Sequence, residues 1–153
     1  MLRDEINRAL KGALKETDER RISTLRLVNA AIQNADIEAQ VRGRSSLADE
    51  ELLPVLQKML KQRQESVEIY EKAGRSELAD QERREIEIIK AYLPQEMSDG
   101  EMESAIAGTL TQLGASSIKD MGKVMAALKQ GYAGRMDFAK ASGRVKALLA
   151  PGA

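Results

Sequence analysis

The segment AYLPQEMSDGE at residues 91–101 divides the sequence into two helical parts. Pro94 has no backbone N–H and its ring clashes with the preceding turn, so a helix that reaches this segment ends there. Ser98, with Glu101 three residues later, has the spacing of a capping box, which begins a new helix. We therefore predict an N-terminal subdomain over residues 1–96 and a C-terminal subdomain over residues 97–150.

Apolar residues upstream of this segment recur at three- and four-residue spacing, the period of an amphipathic helix. The pattern predicts helices over about 2–15, 48–73 and 76–92, and a further helix that Thr17 or Asp18 caps. This second helix has one core stripe, and additional apolar residues widen it. They predict that the helix is buried on more than one side: Leu27, Ala30, Ala31 and Ile37.

The sequence downstream of the segment predicts three more helices. Gly114 and Gly131 are placed to end two of them, and Ser117 with Asp120 repeats the capping spacing. Asp137 is the expected N-cap of the last helix. The predicted fold class is all-α, a four-helix bundle-like subdomain followed by a three-helix module, with a frayed end at residues 151–153.

Composition limits the chemistry that this chain can perform. The 153 residues include no cysteine and no histidine, which excludes Cys and His nucleophiles, a Ser-His-Asp triad and zinc sites of thiolate or imidazole. We find no Walker-type phosphate loop and no EF-hand spacing of carboxylates. We predict no cofactor, no metal and no independent catalysis. The lack of disulfides, of a secretory leader and of a membrane-length apolar run predicts a cytoplasmic protein without a membrane partner.

Charge is unevenly distributed, although the formal net charge is zero. The stretch from residue 119 to residue 146 holds seven basic side chains and only two acidic ones. A solvated helix surface accounts for such a stretch, and so does a face that contacts nucleic-acid phosphates. The candidate RNA-binding residues are Lys119, Lys123, Lys129, Arg135, Lys140, Arg144 and Lys146.

Three residues make the nucleic-acid hypothesis more specific. Arg135 precedes the helix that Asp137 caps, where free N–H groups favour an anion, and we expect Arg135 to contribute most to binding unless it bonds carbonyls of the preceding turn. Gly122, predicted inside a helix, indicates either a close neighbouring helix or the close approach of a ligand backbone. Tyr132 could stack on a base or fill a packing gap.

Two charged residues fall on the apolar lines of their helices. Arg63 lies between Met59 and Val67, and Glu82 lies between Leu78 and Ile86. A structural ion pair between Arg63 and Glu82 would explain both positions, and a catalytic carboxylate is the alternative.

The sequence resembles the small stand-alone YqeY-like proteins of the GatB/YqeY family over nearly its whole length. The resemblance rests on STLRLVNAAIQNADIEAQ at 23–40, KQRQESVEIYEKAGRSELADQERREIEIIKAYLPQEM at 61–97, GASSIKDMGKVMAALK at 114–129 and GRMDFAKASGRVKALL at 134–149. It implies a helical bundle joined to a three-helix module that is similar to the tail domain of the B subunit of glutamine-dependent aminoacyl-tRNA amidotransferases, which helps to hold the tRNA.

These observations favour a non-catalytic, tRNA-associated helical protein that binds RNA through its C-terminal module. The first alternative is a helical protein-interaction module that docks a translation-related protein complex. The second is an accessory activity in amidotransferase chemistry (carbon–nitrogen ligase with glutamine as amido donor), which rests on the family resemblance alone.

Overall fold

The computed structural model describes residues 1–151 and confirms an all-α fold, with no strand in that range. The chain divides into two compact units, Met1–Pro94 and Gln95–Ala153. The first holds α1 (Leu2–Glu16), α2 (Glu19–Val41), α3 (Asp49–Lys72) and α4 (Ser76–Lys90). The second holds α5 (Asp99–Leu113), a 3₁₀ turn (Ile118–Asp120), α6 (Met121–Gly131) and α7 (Phe138–Leu149). The predicted frayed end falls at Gly152 and Ala153, outside the described residues.

The ends of the first two helices follow from local side chains. Thr17 ends α1 in the left-handed conformation, with φ of 56°. The Asp18 carboxylate accepts a hydrogen bond from the Arg21 backbone N–H at 3.3 Å, so Asp18 caps α2. Of the two residues that the sequence offered as the cap, Thr17 therefore closes the preceding helix.

One carboxylate fixes the connection between α2 and α3 in the N-terminal unit. Asp36 accepts hydrogen bonds from the Arg3 guanidinium of α1, at 2.6 Å, and from the Leu47 backbone N–H, at 3.0 Å. The bond from Leu47 is the largest of the effects that hold the pKa of Asp36 below its ordinary value, and the bond from Arg3 adds to it. A single side chain thus ties together α1, α2 and the loop before α3.

Aliphatic side chains form the core of the N-terminal unit, as the 3% aromatic content requires. Ile6 of α1, Leu25 of α2, Leu56 of α3 and Ile89 of α4 are fully buried in one cluster. Burial of such side chains contributes about 1.5–3 kcal/mol each, so this cluster is the main source of stability for the unit.

The prediction that α2 is buried on more than one side is wrong. Leu27 and Ile37 are 49% and 56% exposed, and Ala30 is exposed as well. Only Ala31 of the widening residues packs against the core. The helix is therefore apolar on two opposite faces, one of which is exposed in the described structure of residues 1–151.

The helices of the C-terminal unit begin and end at the signals that the sequence carries. Ser98 Oγ accepts a hydrogen bond from the Glu101 backbone N–H at 3.1 Å, and the Glu101 carboxylate accepts one from the Ser98 backbone N–H at 3.2 Å. Gly114 ends α5 with φ of 62°, a left-handed conformation that glycine adopts without strain. The core of the C-terminal unit is a second, separate cluster of buried residues: Ile106, Val124, Leu128, Met136, Ala141, Val145 and Leu149.

Candidate nucleic-acid interface

A short 3₁₀ turn fixes the start of α6. The Asp120 carboxylate accepts hydrogen bonds from the backbone N–H groups of Ser116 and Ser117, at 3.0 and 3.3 Å, and these bonds lower the pKa of Asp120. Val124 and Leu128 are fully buried on the inner side of α6. Met125 between them also packs against the core, so Ala126 is the exposed residue of this turn.

The outer face of α6 combines lysines with small residues. Lys123 and Lys129 are exposed along it, as are the small residues Gly122 and Ala126, and Lys119 is exposed in the 3₁₀ turn just before the helix. A Cβ added to Gly122 would meet no atom within 4 Å. Close packing of a neighbouring helix therefore does not explain this glycine, which is the second residue of α6 and not an interior one as predicted.

The remaining basic candidates pair with acidic residues of α5, with the exception of Lys146. Arg144 Nε lies 2.6 Å from Glu103 Oε1, and Lys140 Nζ lies 3.4 Å from Asp99 Oδ1. Arg135 Nη2 lies 3.9 Å from Glu101 Oε2. These exposed pairs are weak individually, but each reduces the charge that the cation presents to a ligand.

Arg135 holds the start of the C-terminal unit. Its Nε donates to the Gln95 carbonyl at 3.1 Å, and its own carbonyl accepts from the Met97 backbone N–H at 2.8 Å. The carbonyl it bonds is 40 residues away and not in the preceding turn. Asp137 fills the nearby helix N-terminus by accepting from the N–H groups of Ala139 and Lys140, at 3.0 and 3.3 Å. The structure thus gives Arg135 a structural contact and leaves little room for an anion beside it.

The acidic side chains from residue 98 to residue 151 are all engaged. Three pair with cations as described, and the other two, Asp120 and Asp137, accept backbone N–H bonds at helix starts. Lys119, Lys129 and Lys146 form no ion pair within the described part of the chain, and Lys123 acts only on Asp120 at a distance. The charge left over on this part of the surface is positive.

A shallow cleft of about 630 Å³ lies elsewhere on the same unit. Ser98, Glu101, Tyr132 and Arg135 contribute its polar lining. Tyr132 is half-buried and packs against the second core, so part of its ring fills a packing gap. The Glu101 carboxylate at this cleft opposes a phosphate there, which leaves the α6 face as the better candidate for phosphate contacts.

The predicted ion pair in the N-terminal unit has a different acidic partner. Arg63 Nε donates to Glu85 Oε2 at 3.1 Å, and Arg20 Nη1 donates to Glu85 Oε1 at 3.1 Å. Glu85 is buried, and it lies one helical turn after Glu82 on α4. The pairing of Arg63 with Glu82 is corrected accordingly, because the interhelical geometry brings Glu85 to both arginines.

Glu82 is half-buried beside this cluster. Burial raises the pKa of the Glu82 carboxyl, and repulsion from Glu85 raises it further, while Arg63 lowers it by a smaller amount. The geometry fits a structural cluster that holds three helices together. Within residues 1–151 we find no group of three or more acidic side chains placed to hold a metal ion.

Comparison with models of known protein families places the chain in one of them. The profile of the family described as Yqey-like protein matches residues 3–149. The chain belongs to the Yqey-like proteins. Its relatives include two fungal proteins, both bearing the name altered inheritance of mitochondria protein 41, mitochondrial. The protein from Lachancea thermotolerans is 34% identical over 114 residues, 73% of this chain and 59% of its own length.

The second relative, from Pyrenophora tritici-repentis, is 28% identical over 126 residues, 78% of this chain and 67% of its own length. This Yqey-like chain therefore spans about three fifths of the length of the first relative. The names place those relatives in mitochondria, and the cytoplasmic location expected for this chain stays a prediction. No helix in residues 1–151 has the length and apolar character needed to cross a bilayer.

Sequence reasoning missed the acidic residues that neutralise the basic candidates. Asp99, Glu101 and Glu103 occur at every second position at the start of α5, and the sequence analysis considered only Glu101, as a capping residue. The number of acidic residues was a signal for their role as partners of the basic residues. Only five acidic residues lie beyond residue 98, and these are three of them. Glu85 was missed in the same way, although it is three residues from the expected partner.

Proposed function

We propose that the C-terminal unit binds RNA without catalysis, through phosphate contacts made by Lys119 of the 3₁₀ turn, the exposed lysines of α6 and Lys146. The observation that carries this proposal is the charge left over on the unit once its acidic side chains are engaged. Three of those carboxylates pair with Arg135, Lys140 and Arg144 and two accept bonds at helix starts, while Lys119, Lys129 and Lys146 form no ion pair among the described residues. Binding RNA phosphates would release the counterions that these lysines hold in solution.

The shape of the α6 face supports the same proposal. Lys123 and Lys129 are six residues apart on α6, which is about 9 Å along the helix, and Lys119 in the preceding 3₁₀ turn extends the row of lysines beyond its start. Gly122 and Ala126 between them have no long side chain, so a backbone can approach the helix closely. Contacts of this kind position a nucleic acid and carry no sequence information.

Transfer RNA is the proposed ligand class because of the resemblance of the C-terminal module to the amidotransferase tail domain. We propose no glutaminase or ligase step, since the chain has neither His nor Cys and no phosphate loop. The protein-interaction alternative is supported by a different surface, the uncovered apolar face of α2.

A salt titration of fluorescently labelled tRNA tests the proposal. If four lysines each neutralise a phosphate, log K falls with log salt with a slope of about −3. The variant Lys119/Lys123/Lys129→Ala should bind more weakly, and its slope should be shallower by about 2. Its preference among RNA sequences should not change.

The matched control removes the same charge from the N-terminal unit. Lys58, Lys61 and Lys72 of α3 are exposed, so the triple Ala variant at these positions should fold and bind like wild type. Thermal unfolding of all three proteins checks that the fold is intact. Equal weakening by both triple variants, or the absence of wild-type binding at low salt, would contradict the proposal.

A further inference from the structure

Helix α2 carries an apolar stripe on the side opposite the core. Its exposed members are spaced three and four residues apart: Leu27, Ala30, Asn34, Ile37 and Val41. Leu27, Ile37 and Val41 are 49%, 56% and 84% exposed. The core side of the same helix is occupied by Leu25, Val28 and Ile32, which are buried, so the stripe takes no part in holding the unit together.

The spacing of the stripe is that of a coiled-coil seam. Written as heptads, Leu27, Asn34 and Val41 occupy a positions, while Ala30 and Ile37 occupy d positions. The pattern covers 15 residues without interruption, and its one polar member lies at the central a position. A single Asn at an a position fixes register in two-stranded coiled coils because the two amides pair with each other across the seam.

We propose that the α2 stripe pairs with the α2 stripe of a second copy of this chain, in parallel and in register. In that pairing Asn34 faces Asn34 of the second copy, and each apolar side chain enters the hole formed by its counterparts. A two-fold arrangement of this kind uses one self-complementary patch, which is the commonest geometry of homo-oligomers.

The flanking positions agree with self-pairing. In a parallel pair, each g residue meets the e residue five positions later on the other helix. Here Arg26 would meet Ala31, and Gln33 would meet Glu38, which can accept a hydrogen bond from the Gln33 amide. No like charges meet at these positions, so the pairing carries no electrostatic penalty.

The length of the seam sets the strength of the dimer. Fifteen residues extend about 21 Å along the helix, only two heptads. An interface this small belongs to the weak and transient class, so we expect dissociation in the micromolar range. Three apolar side chains exposed on one helix face still favour association over solvent exposure.

Sedimentation equilibrium of the full chain over a range of micromolar concentrations, without RNA, tests the proposal. Wild type should shift from monomer to dimer as concentration rises. Leu27→Glu/Ile37→Glu should remain monomeric, while Ile69→Glu, which changes a 65% exposed isoleucine of α3, should dimerise like wild type. Because these side chains are exposed, all variants should keep the wild-type melting temperature at protein concentrations low enough for wild type to be monomeric.

Two further variants test the register. Asn34→Ile removes the polar layer and should tighten association several-fold, as an apolar a position does in a coiled coil. The chain has no cysteine, so Asn34→Cys provides a unique thiol that should form a disulfide-linked dimer under mild oxidation, whereas Glu65→Cys on α3 should not. A monomer at every concentration, or equal cross-linking of both cysteine variants, would overturn the proposal.

Discussion

The two units of the chain differ in which charged and apolar side chains they bury and which they expose. The N-terminal unit encloses a charged cluster, with Glu85 held between Arg20 and Arg63, and exposes apolar side chains on α2. The C-terminal unit keeps its ion pairs at the surface and exposes lysines that have no acidic partner. The proposed surface of the N-terminal unit is marked by exposed apolar side chains, and that of the C-terminal unit by exposed lysines without an acidic partner among the described residues.

The two units also differ in how much their ion pairs contribute to stability. The side chains of Arg63 and Glu85 are 13% and 10% exposed, so their attraction is little screened by water. Those of Arg144 and Glu103 are 44% and 45% exposed, in the range where ion pairs contribute little to stability. The cluster of Arg20, Arg63 and Glu85 is thus structural, whereas the exposed pairs of the second unit contribute little to its stability.

The largest expected effect is on the buried cluster. Glu85→Gln leaves two arginines without their carboxylate, and should lower the free energy of unfolding by about 3 kcal/mol. The equivalent change at a surface pair, Glu103→Gln, should lower it by less than about 1 kcal/mol. Urea unfolding followed by circular dichroism measures both, and similar values for the two variants would remove the distinction between the units.

A buried hydroxyl gives the next largest effect, in the opposite direction. Thr24 Oγ1 is fully buried and has no hydrogen-bond partner among the described residues. Thr24→Val has nearly the same shape and removes the unpaired hydroxyl, so it should stabilise the protein by about 1 kcal/mol. Thr109 is the matched position, because its hydroxyl donates to the Ala105 carbonyl at 2.8 Å. Stabilisation by Thr109→Val of the same size would contradict the explanation.

Arg135 provides a test that separates structure from binding. Arg135→Ala removes the hydrogen bond to the Gln95 carbonyl and should lower stability by about 1 kcal/mol. Because this guanidinium is already engaged, RNA affinity should fall less than in Lys123→Ala. The two measurements are made on the same samples, by thermal unfolding and by tRNA titration. A larger loss of RNA affinity in Arg135→Ala than in Lys123→Ala would show that Arg135 belongs to the RNA-binding face.

The smallest effect depends on pH. Burial and the neighbouring Glu85 raise the pKa of Glu82 above its ordinary value of 4.5. The folded state therefore gains stability from protonated Glu82 below pH 4.5 and loses it as pH rises through the folded pKa. Glu82→Gln mimics the protonated form, so it should raise the melting temperature at neutral pH by about 2 °C and have no effect at pH 4. A constant difference across this range would show that charge is not the cause.

Helix boundaries were predictable because their signals are local. Asp18, Ser98 and Gly114 act on backbone groups within four residues, and the structure places helix ends next to each of them. The choice of Glu85 over Glu82 was not predictable, since both lie on α4 one turn apart and only the packing of α4 against α2 and α3 decides between them.

The sequence also did not reveal which apolar faces of the helices are exposed. Apolar residues on two sides of α2 indicate two contacts, but the periodicity does not say whether both partners belong to the same chain. The contact of Arg135 with Gln95 is similar, because 40 residues separate them and no local motif links them. The lysines of α6 were predictable as candidates from their spacing. Only the structure shows that, in the described part of the chain, the acidic residues of the unit pair elsewhere and form no ion pair with them.

The bond network around Arg135 also determines where the chain can be divided. A fragment that begins at Ser98 keeps all the helices of the C-terminal unit, yet it loses the acceptor at Gln95 and the donor at Met97 that close its first segment. An autonomous fragment therefore begins at Gln95 or earlier. Fusion or transplantation of this unit into another protein has to include residues 95–97, which are outside every helix and would be removed first by any design that follows helix boundaries.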